Sequence, residues 1–227
     1  MFNKRHIVRT IAATVSILAL SFTAACGSGQ STASNSTDSD DITQQTYKPG
    51  KLTIATGQPA YEPWVMNDKP ESGEGYEAAV AYAVADKLGF KKSDVVWTRT
   101  AFDTAIAPGA KDWDFNIQQF GITDERKKAV DFSSSYYNDS QSVVVKKDSK
   151  FANATKVSDL KDATVGVMVG TLAYDYAKAN IKDDIQTFND DAALAQALDA
   201  GQIDALVTST VECVYMVQSE QVKDAKV

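Results

Sequence analysis

The feature that most constrains the fold is a regular alternation of strand-like and helix-like segments between residues 51 and 219. Short apolar or alternating runs predict strands at residues 51–56, 95–97, 114–118, 142–146, 164–169, 186–188 and 203–207. Helical periodicity predicts helices at residues 77–88, 102–107, 171–180, 190–200 and 211–219, with Asn189 as the N-cap of the fourth. Strands that alternate with helices form parallel β-α-β units, so we predict an α/β protein.

One local pattern occurs in both halves of the chain. A helix end, a glycine, an aspartate and a strand follow one another at residues 105–118 and again at residues 197–207. This repeat favours two related α/β lobes, which we assign to residues 49–140 and 141–227. Coincidence is the alternative, because β-α-β units share such patterns. Asp114 and Asp204, which precede the two strands, are expected to be structural.

The first residues resemble an export signal. Lys4, Arg5 and Arg9 precede an apolar run at residues 11–22, and small residues lead to Cys26-Gly27. We predict a signal peptide at residues 1–25, a lipid on Cys26, and a flexible tether at residues 26–48 that is rich in Ser, Thr, Gly and Asp. An ordinary secretory signal cut near Ala25, with Cys26 incidental, is the alternative.

Composition excludes several functions. Residues 1–25 hold three of the 23 basic residues and none of the 30 acidic ones, so the processed chain has 20 basic and 30 acidic residues and a formal charge of −10. An acidic surface repels nucleic acid, and we expect no such partner. The only histidine, His6, lies in the signal, and Cys213 is left without a cysteine partner. We therefore expect no metal, no cofactor and no structural disulfide.

The most informative stretch follows the predicted strand at residues 114–118. Gln119, Gly121 and Thr123 come directly after it, and ligands of α/β sheets bind beyond the carboxyl ends of strands. Arg126 follows, and a guanidinium can hold a carboxylate by two parallel hydrogen bonds. The alternative is a surface arginine in a charged turn.

Several motifs in a fixed order carry a resemblance to a known family. They are the segment at residues 115–137 with its Ile-Thr-Asp-Glu-Arg and Asp-Phe-Ser runs, Tyr61-Glu62-Pro63-Trp64, and the strand regions at 165–171 and 201–207. Over residues 51–215 the chain is similar to the bacterial extracellular solute-binding proteins of type 3. This resemblance implies a two-lobed, type II periplasmic-binding-protein-like fold. It also implies a monomer that closes on an amino acid and docks on an ABC permease at the extracytoplasmic face of the cell membrane, in the periplasm if the cell has an outer membrane.

The same resemblance implies a set of ligand-binding residues. In this chain they are Tyr61, Trp64, Gln119, Gly121, Arg126, Gly170, Thr171 and Ser209. Arg126 and the helix start at Thr171 would hold the carboxylate, since helix N-termini favour anions. Tyr61 would lie over the ligand side chain. Core packing for Tyr61 and Trp64, and a helix cap for Thr171, are the alternatives.

The chain departs from the family pattern at three places. Gly121 stands where Ser or Thr is usual, and Ser209 stands where an Asp commonly pairs with the ligand ammonium group. A neutral hydroxyl cannot offset a buried positive charge. The chain also ends at Val227, so the resemblance implies that the second lobe and its return to the first lobe are truncated.

We expect a binding protein and not an enzyme. Two other functions remain open: a dehydratase of cyclic carboxylic acids on the same fold, and a degenerate or sensory paralogue that binds a partner protein. A dehydratase needs an acid or base in the cleft. The sequence indicates no paired carboxylates at a suitable place.

Overall fold

The first sheet is short and wholly parallel. In the computed structural model, which describes residues 41–227, β1 (Leu52–Gly57) lies between β2 (Val95–Thr100) and β3 (Phe115–Asn116). The connections contain α1 (Tyr76–Lys87) and α2 (Phe102–Ile106). Leu52 and Ile54 of β1 pack against Ala81 and Ala85 of α1, because the buried strand and the small face of the helix approach closely.

The second sheet has five strands and mixed direction. Its elements are β4 (Gln141–Lys146), β5 (Val165–Met168), α3 (Leu172–Asn180), β6 (Gln186–Phe188), α4 (Asp191–Asp199), β7 (Ala205–Ser209), α5 (Thr210–Gln218) and β8 (Ala225–Lys226). The strand order is β6-β5-β7-β4-β8. Helices α3, α4 and α5 pack on its strands and bury two apolar clusters, centred on Val167 and on Leu198.

Every predicted helix and strand is present, with bounds that differ by up to three residues, and three further details differ. Strand β4 is antiparallel to β7 and β8, so the sheet is not purely parallel. Strand β4 follows β3 of the first sheet in the chain, and no α-helix lies between these two strands. A crossover helix is needed only between parallel neighbours, so β4 can pair antiparallel without one. The two-residue strand β8 was not predicted. The N-cap of α4 is Asp190, not Asn189, because the Asp190 side chain accepts a hydrogen bond from Ala193 N.

The repeated aspartates have the same structural role in both sheets, as predicted. Asp114 Oδ2 accepts from Thr53 N at 2.7 Å, and Asp114 N donates to Thr53 O at 2.8 Å. Asp204 Oδ2 accepts from Thr164 N at 2.8 Å, and Asp204 N donates to Thr164 O at 2.8 Å. Each aspartate thereby fixes the start of a neighbouring strand. This equivalence supports the two-lobe interpretation.

The end of the predicted tether is part of the folded body. Residues Ile42–Gln44 form a short 3-10 turn capped by Asp41, and Tyr47 N donates to Asp114 Oδ1 at 2.5 Å. The predicted signal peptide and Cys26 lie outside the described residues. Within residues 41–227, no helix is long and apolar enough to cross a bilayer. Among the described residues, Cys213 is buried and free.

Candidate functional site

The candidate site is a cavity of about 120 Å³ lined by residues of both sheets. The carboxyl end of β1, the segment after β3 and the starts of α3, α4 and α5 all contribute to its wall. Six of the eight sequence-predicted site residues line it: Tyr61, Gln119, Gly121, Arg126, Thr171 and Ser209. The cavity therefore lies where ligands of α/β sheets bind, beyond the carboxyl ends of strands.

Arg126 bridges the two halves of the cavity wall. Its Nη1 donates to Gly121 O and its Nη2 donates to Gly170 O, both at 2.9 Å. The guanidinium carbon lies 5.7 Å and 5.5 Å from the ring centroids of Phe102 and Phe120, which stack on each other at 4.0 Å. These contacts hold the guanidinium in place, and only two of its five N–H groups are used in them. The remaining donors are available to an anion.

The first turn of α3 lies next to Arg126 in the cavity wall. Thr171 is its N-cap: the hydroxyl accepts from Tyr174 N at 3.4 Å and donates to Met168 O at 2.7 Å. Leu172 and Ala173 follow in the cavity wall. The first N–H groups of a helix have no partner within it. Thr171 is thus a helix cap that also brings a positively polarised helix end to the cavity.

Gln119 is held by a buried carboxylate that the sequence analysis missed. Glu77 Oε1 accepts from Gln119 N at 2.8 Å and from the Tyr136 hydroxyl, and Oε2 accepts from Gln119 Nε2. Gln119 has a φ of 51°, an uncommon value for a residue with a side chain. The side-chain amide of Gln119 is therefore engaged by Glu77, which positions the segment that leads to Gly121.

We expect Glu77 to make the stability of the protein depend on pH. Burial raises the pKa of Glu77 from 4.5 to about 7. The folded state therefore binds more protons than the unfolded state between these values, and stability falls as the pH rises through 7. The unfolding free energy of the wild-type protein should fall between pH 5 and pH 8. In Glu77→Gln we expect this fall to be smaller by on the order of 2 kcal/mol. Urea unfolding at both pH values measures this, and an unchanged difference in the variant would contradict it.

Trp64 and Gly170 do not line this cavity. Trp64 is buried, and its ring packs edge-on against Tyr76 and Tyr137 at centroid distances of 6.0 Å and 5.2 Å. This aromatic cluster borders a second, larger cavity of about 690 Å³. Gly170 contributes only its carbonyl, which accepts from Arg126. Of the two alternatives for Trp64, its surroundings favour core packing.

Gly121 makes close approach of the two halves possible. A Cβ atom at this position would lie 2.3 Å from Leu172 Cδ1. Leu172 of α3 thus fills the space that a Ser or Thr side chain would need. Tyr215 of α5 also joins the halves, because its hydroxyl donates to Glu62.

The cavity wall contains a pair of buried carboxyl groups that the sequence analysis did not find. Asp191 in the first turn of α4 and Glu212 in the first turn of α5 both line the cavity and are 6% and 7% exposed. They meet at Thr208, whose hydroxyl donates to Glu212 Oε2 at 2.7 Å. The two residues belong to separate helices, so no local motif indicates that they meet. The expectation that the cleft lacks paired carboxylates is wrong.

Burial and neighbouring acidic groups raise the pKa values of both residues. The pKa of Asp191 is raised well above its usual value by burial, then by Glu212 and Asp190. Burial likewise raises the pKa of Glu212. Tyr61 lies close to the start of α4, and its pKa is raised by burial and then by Asp190. This side of the cavity is thus acidic, whereas the Arg126 side is basic.

Two α/β sheets that enclose a cavity with a guanidinium in one part of its wall and two carboxyl groups in another define a two-lobed binding fold of the periplasmic type. The family of bacterial extracellular solute-binding proteins, family 3, matches residues 52–197. The chain belongs to this family, and the resemblance seen in the sequence is confirmed.

Known proteins similar to this chain bind amino acids. The L-cystine-binding protein TcyJ of Escherichia coli K12 is 31% identical over 160 residues, which cover 70% of this chain and 59% of that protein. An ancestral arginine-binding protein with bound glutamine is 32% identical, with a TM-score of 0.65 and coverage of 79% of this chain and 78% of that one. An ancestral amino acid-binding protein, a precursor of cyclohexadienyl dehydratase, is 32% identical, with a TM-score of 0.65 and coverage of 75% and 74%. The chain thus spans about three fifths of the length of the first of these relatives.

Proposed function

We propose that the protein is the extracytoplasmic substrate-binding component of an ABC importer and binds a small polar solute, an amino acid, between two lobes, residues 49–140 and 141–227. The observation that carries this proposal is the cavity that Arg126 and the start of α3 share, since a guanidinium and a helix N-terminus together suit a carboxylate. Family membership and the amino acids named for its relatives support it.

The site in this proposal consists of Tyr61, Gln119, Gly121, Arg126, Thr171 and Ser209, with Trp64 and Gly170 as supporting residues behind it. The cavity has a volume of about 120 Å³, which suits a small solute. A signal peptide at residues 1–25, a lipid on Cys26, a monomeric state and docking on a membrane permease complete the proposal.

A thermal-shift screen tests the binding function. The protein is titrated with each standard amino acid and with cystine, and its melting temperature is measured. A ligand at 100 times its Kd stabilises the folded state by about 2.7 kcal/mol, which corresponds to a rise of about 5 to 10 °C for a chain of this size. If no amino acid shifts the melting temperature in a dose-dependent way, the proposed function is wrong.

A second candidate is a dehydratase that acts on a cyclic carboxylic acid. One observation favours it: Asp191 and Glu212 supply the buried acid–base groups that such chemistry requires. The two functions differ in their product. Stoichiometric binding with unchanged solute supports the transport receptor, whereas turnover of a prephenate-like compound, followed by absorbance, supports the enzyme.

A further inference from the structure

The acidic side of the cavity offers hydrogen-bond acceptors that the protein leaves unused. Asp191 Oδ1 is buried and has no hydrogen-bond partner in the described part of the chain. Gln141 Oε1, in the first residue of β4, is a second buried acceptor without a partner, and both residues line the cavity. Buried polar atoms are nearly always paired in folded proteins. Both oxygen atoms require a hydrogen-bond donor, and a solute in the cavity can supply one.

The charge on this side of the cavity is also unbalanced. Among residues 41–227, none of the ion pairs involves Asp191 or Glu212. The titratable groups that interact with the two carboxyl groups carry no positive charge: they are Asp190, Asp139, Glu77, Tyr61 and Cys213. Arg126 lines the same cavity, but its guanidinium is bound to the carbonyls of Gly121 and Gly170. A buried carboxylate without a counter-charge is costly. A cation in the cavity would remove this cost.

Ser209 lies beside the pair but cannot provide charge. Its hydroxyl accepts from Glu212 N at 3.2 Å and so caps α5. The neutral residue and the two carboxyl groups occupy one continuous wall of the cavity, at the end of β7 and the starts of α4 and α5.

We propose that Asp191 and Glu212 form the subsite for a cationic nitrogen of the solute and take the place of the carboxylate that Ser209 lacks. This inference rests on the proposed function, and it assigns the residues that hold the cationic nitrogen of the amino acid. Arg126 and α3 hold the anionic end, and the acidic wall holds the cationic end.

The proposal predicts the effect of charge removal at the pair. Asp191→Asn keeps the shape of the side chain but removes its charge, so we expect the affinity for the amino acid found in the thermal-shift screen to fall on the order of 100-fold. Glu212→Gln is the second variant, and it should weaken binding in the same direction. Asp184→Asn is the matched control, because Asp184 is exposed and lies outside the cavity. Isothermal titration calorimetry measures all four proteins.

A rescue variant separates a charge effect from a structural one. Ser209→Asp restores a carboxylate next to the pair and keeps the cap of α5, since Asp is as good an N-cap as Ser. We expect the double variant Asp191→Asn, Ser209→Asp to bind the ligand at least tenfold more tightly than Asp191→Asn alone. If Asp191→Asn merely damaged the fold, this added charge could not restore binding.

The pH dependence of binding is a further readout. Because the pair retains a proton more readily than exposed carboxyl groups, a bound cation should displace it, and affinity should rise between pH 5 and pH 8. Calorimetry in phosphate and in Tris should reveal proton release on binding. The desamino analogue of the ligand should show neither effect.

Each outcome leads to a definite conclusion. Weakened binding in Asp191→Asn with rescue by Ser209→Asp supports the subsite, and weakened binding without rescue contradicts it. Wild-type affinity in both Asp191→Asn and Glu212→Gln overturns it while the binding function stands. If the wild-type protein binds no amino acid in the screen, the binding function and the subsite both fail.

Discussion

Arg126→Ala should abolish detectable solute binding while the fold remains intact. The variant loses charge-assisted hydrogen bonds to the carboxylate, each worth about 1.5 to 3 kcal/mol, so the affinity should fall by at least about 100-fold. It also loses the donors to Gly121 O and Gly170 O, which link the two sides of the cavity. Calorimetric titration with the ligand from the screen measures the effect.

Lys127→Ala is the matched control for this prediction. Lys127 is the next residue in the same turn, but it is exposed and pairs with Asp124 on the surface at 3.0 Å. Surface ion pairs contribute little, so affinity and stability should both stay close to wild type. Arg126→Lys keeps the charge but cannot form two parallel bonds, and it should bind with intermediate affinity. Equal affinity of Arg126→Ala and the wild-type protein would remove Arg126 from the site.

Leu198→Ala should cause the largest loss of stability. Leu198 of α4 is fully buried and packs in the apolar cluster of the second sheet with Leu194 and Leu206. Truncation of a buried leucine leaves a cavity and costs about 2 to 5 kcal/mol. Folded domains are stable by only about 5 to 15 kcal/mol, so much of the margin would be lost. Urea denaturation measures the free energy of unfolding.

Val214→Ala serves as the control for core packing. Val214 lies on the exposed side of α5, with 38% of its surface accessible, and its truncation should change stability by less than about 0.5 kcal/mol. Leu198 does not line the cavity. The folded fraction of Leu198→Ala should therefore bind the ligand with unchanged affinity. A loss of less than 1 kcal/mol would show that the second sheet repacks freely around the deletion.

The location of the site could be predicted from the sequence because it depends on local order. Gln119, Gly121 and Arg126 follow a strand closely, and in an α/β sheet this placement alone brings them to the ligand-binding edge. Thr171 was predictable for the same reason, since a polar residue between a strand and a helix caps the helix and faces the same edge. The binding roles of these residues remain predictions.

Trp64 shows where such local reasoning fails. A tryptophan next to a predicted pocket residue can face the ligand or the core, and its neighbours along the chain do not decide between them. Here α1 and the segment around Tyr137 provide aromatic partners, and the indole lies among them. Gly170 similarly contributes a carbonyl to Arg126 because of the turn before α3.

The sequence by itself determined the α/β class, the order of the elements and the segment that contains Arg126, because hydrophobic periodicity and strand-end polarity are local properties. Only the tertiary structure decided that Asp191 and Glu212 form one buried pair. An aspartate or glutamate in the first turn of a helix is favoured by the helix dipole and is usually solvated, so neither residue indicates burial. The packing of α4 and α5 in one apolar cluster with Leu206 of β7 brings the two helix starts together and removes both carboxyl groups from water.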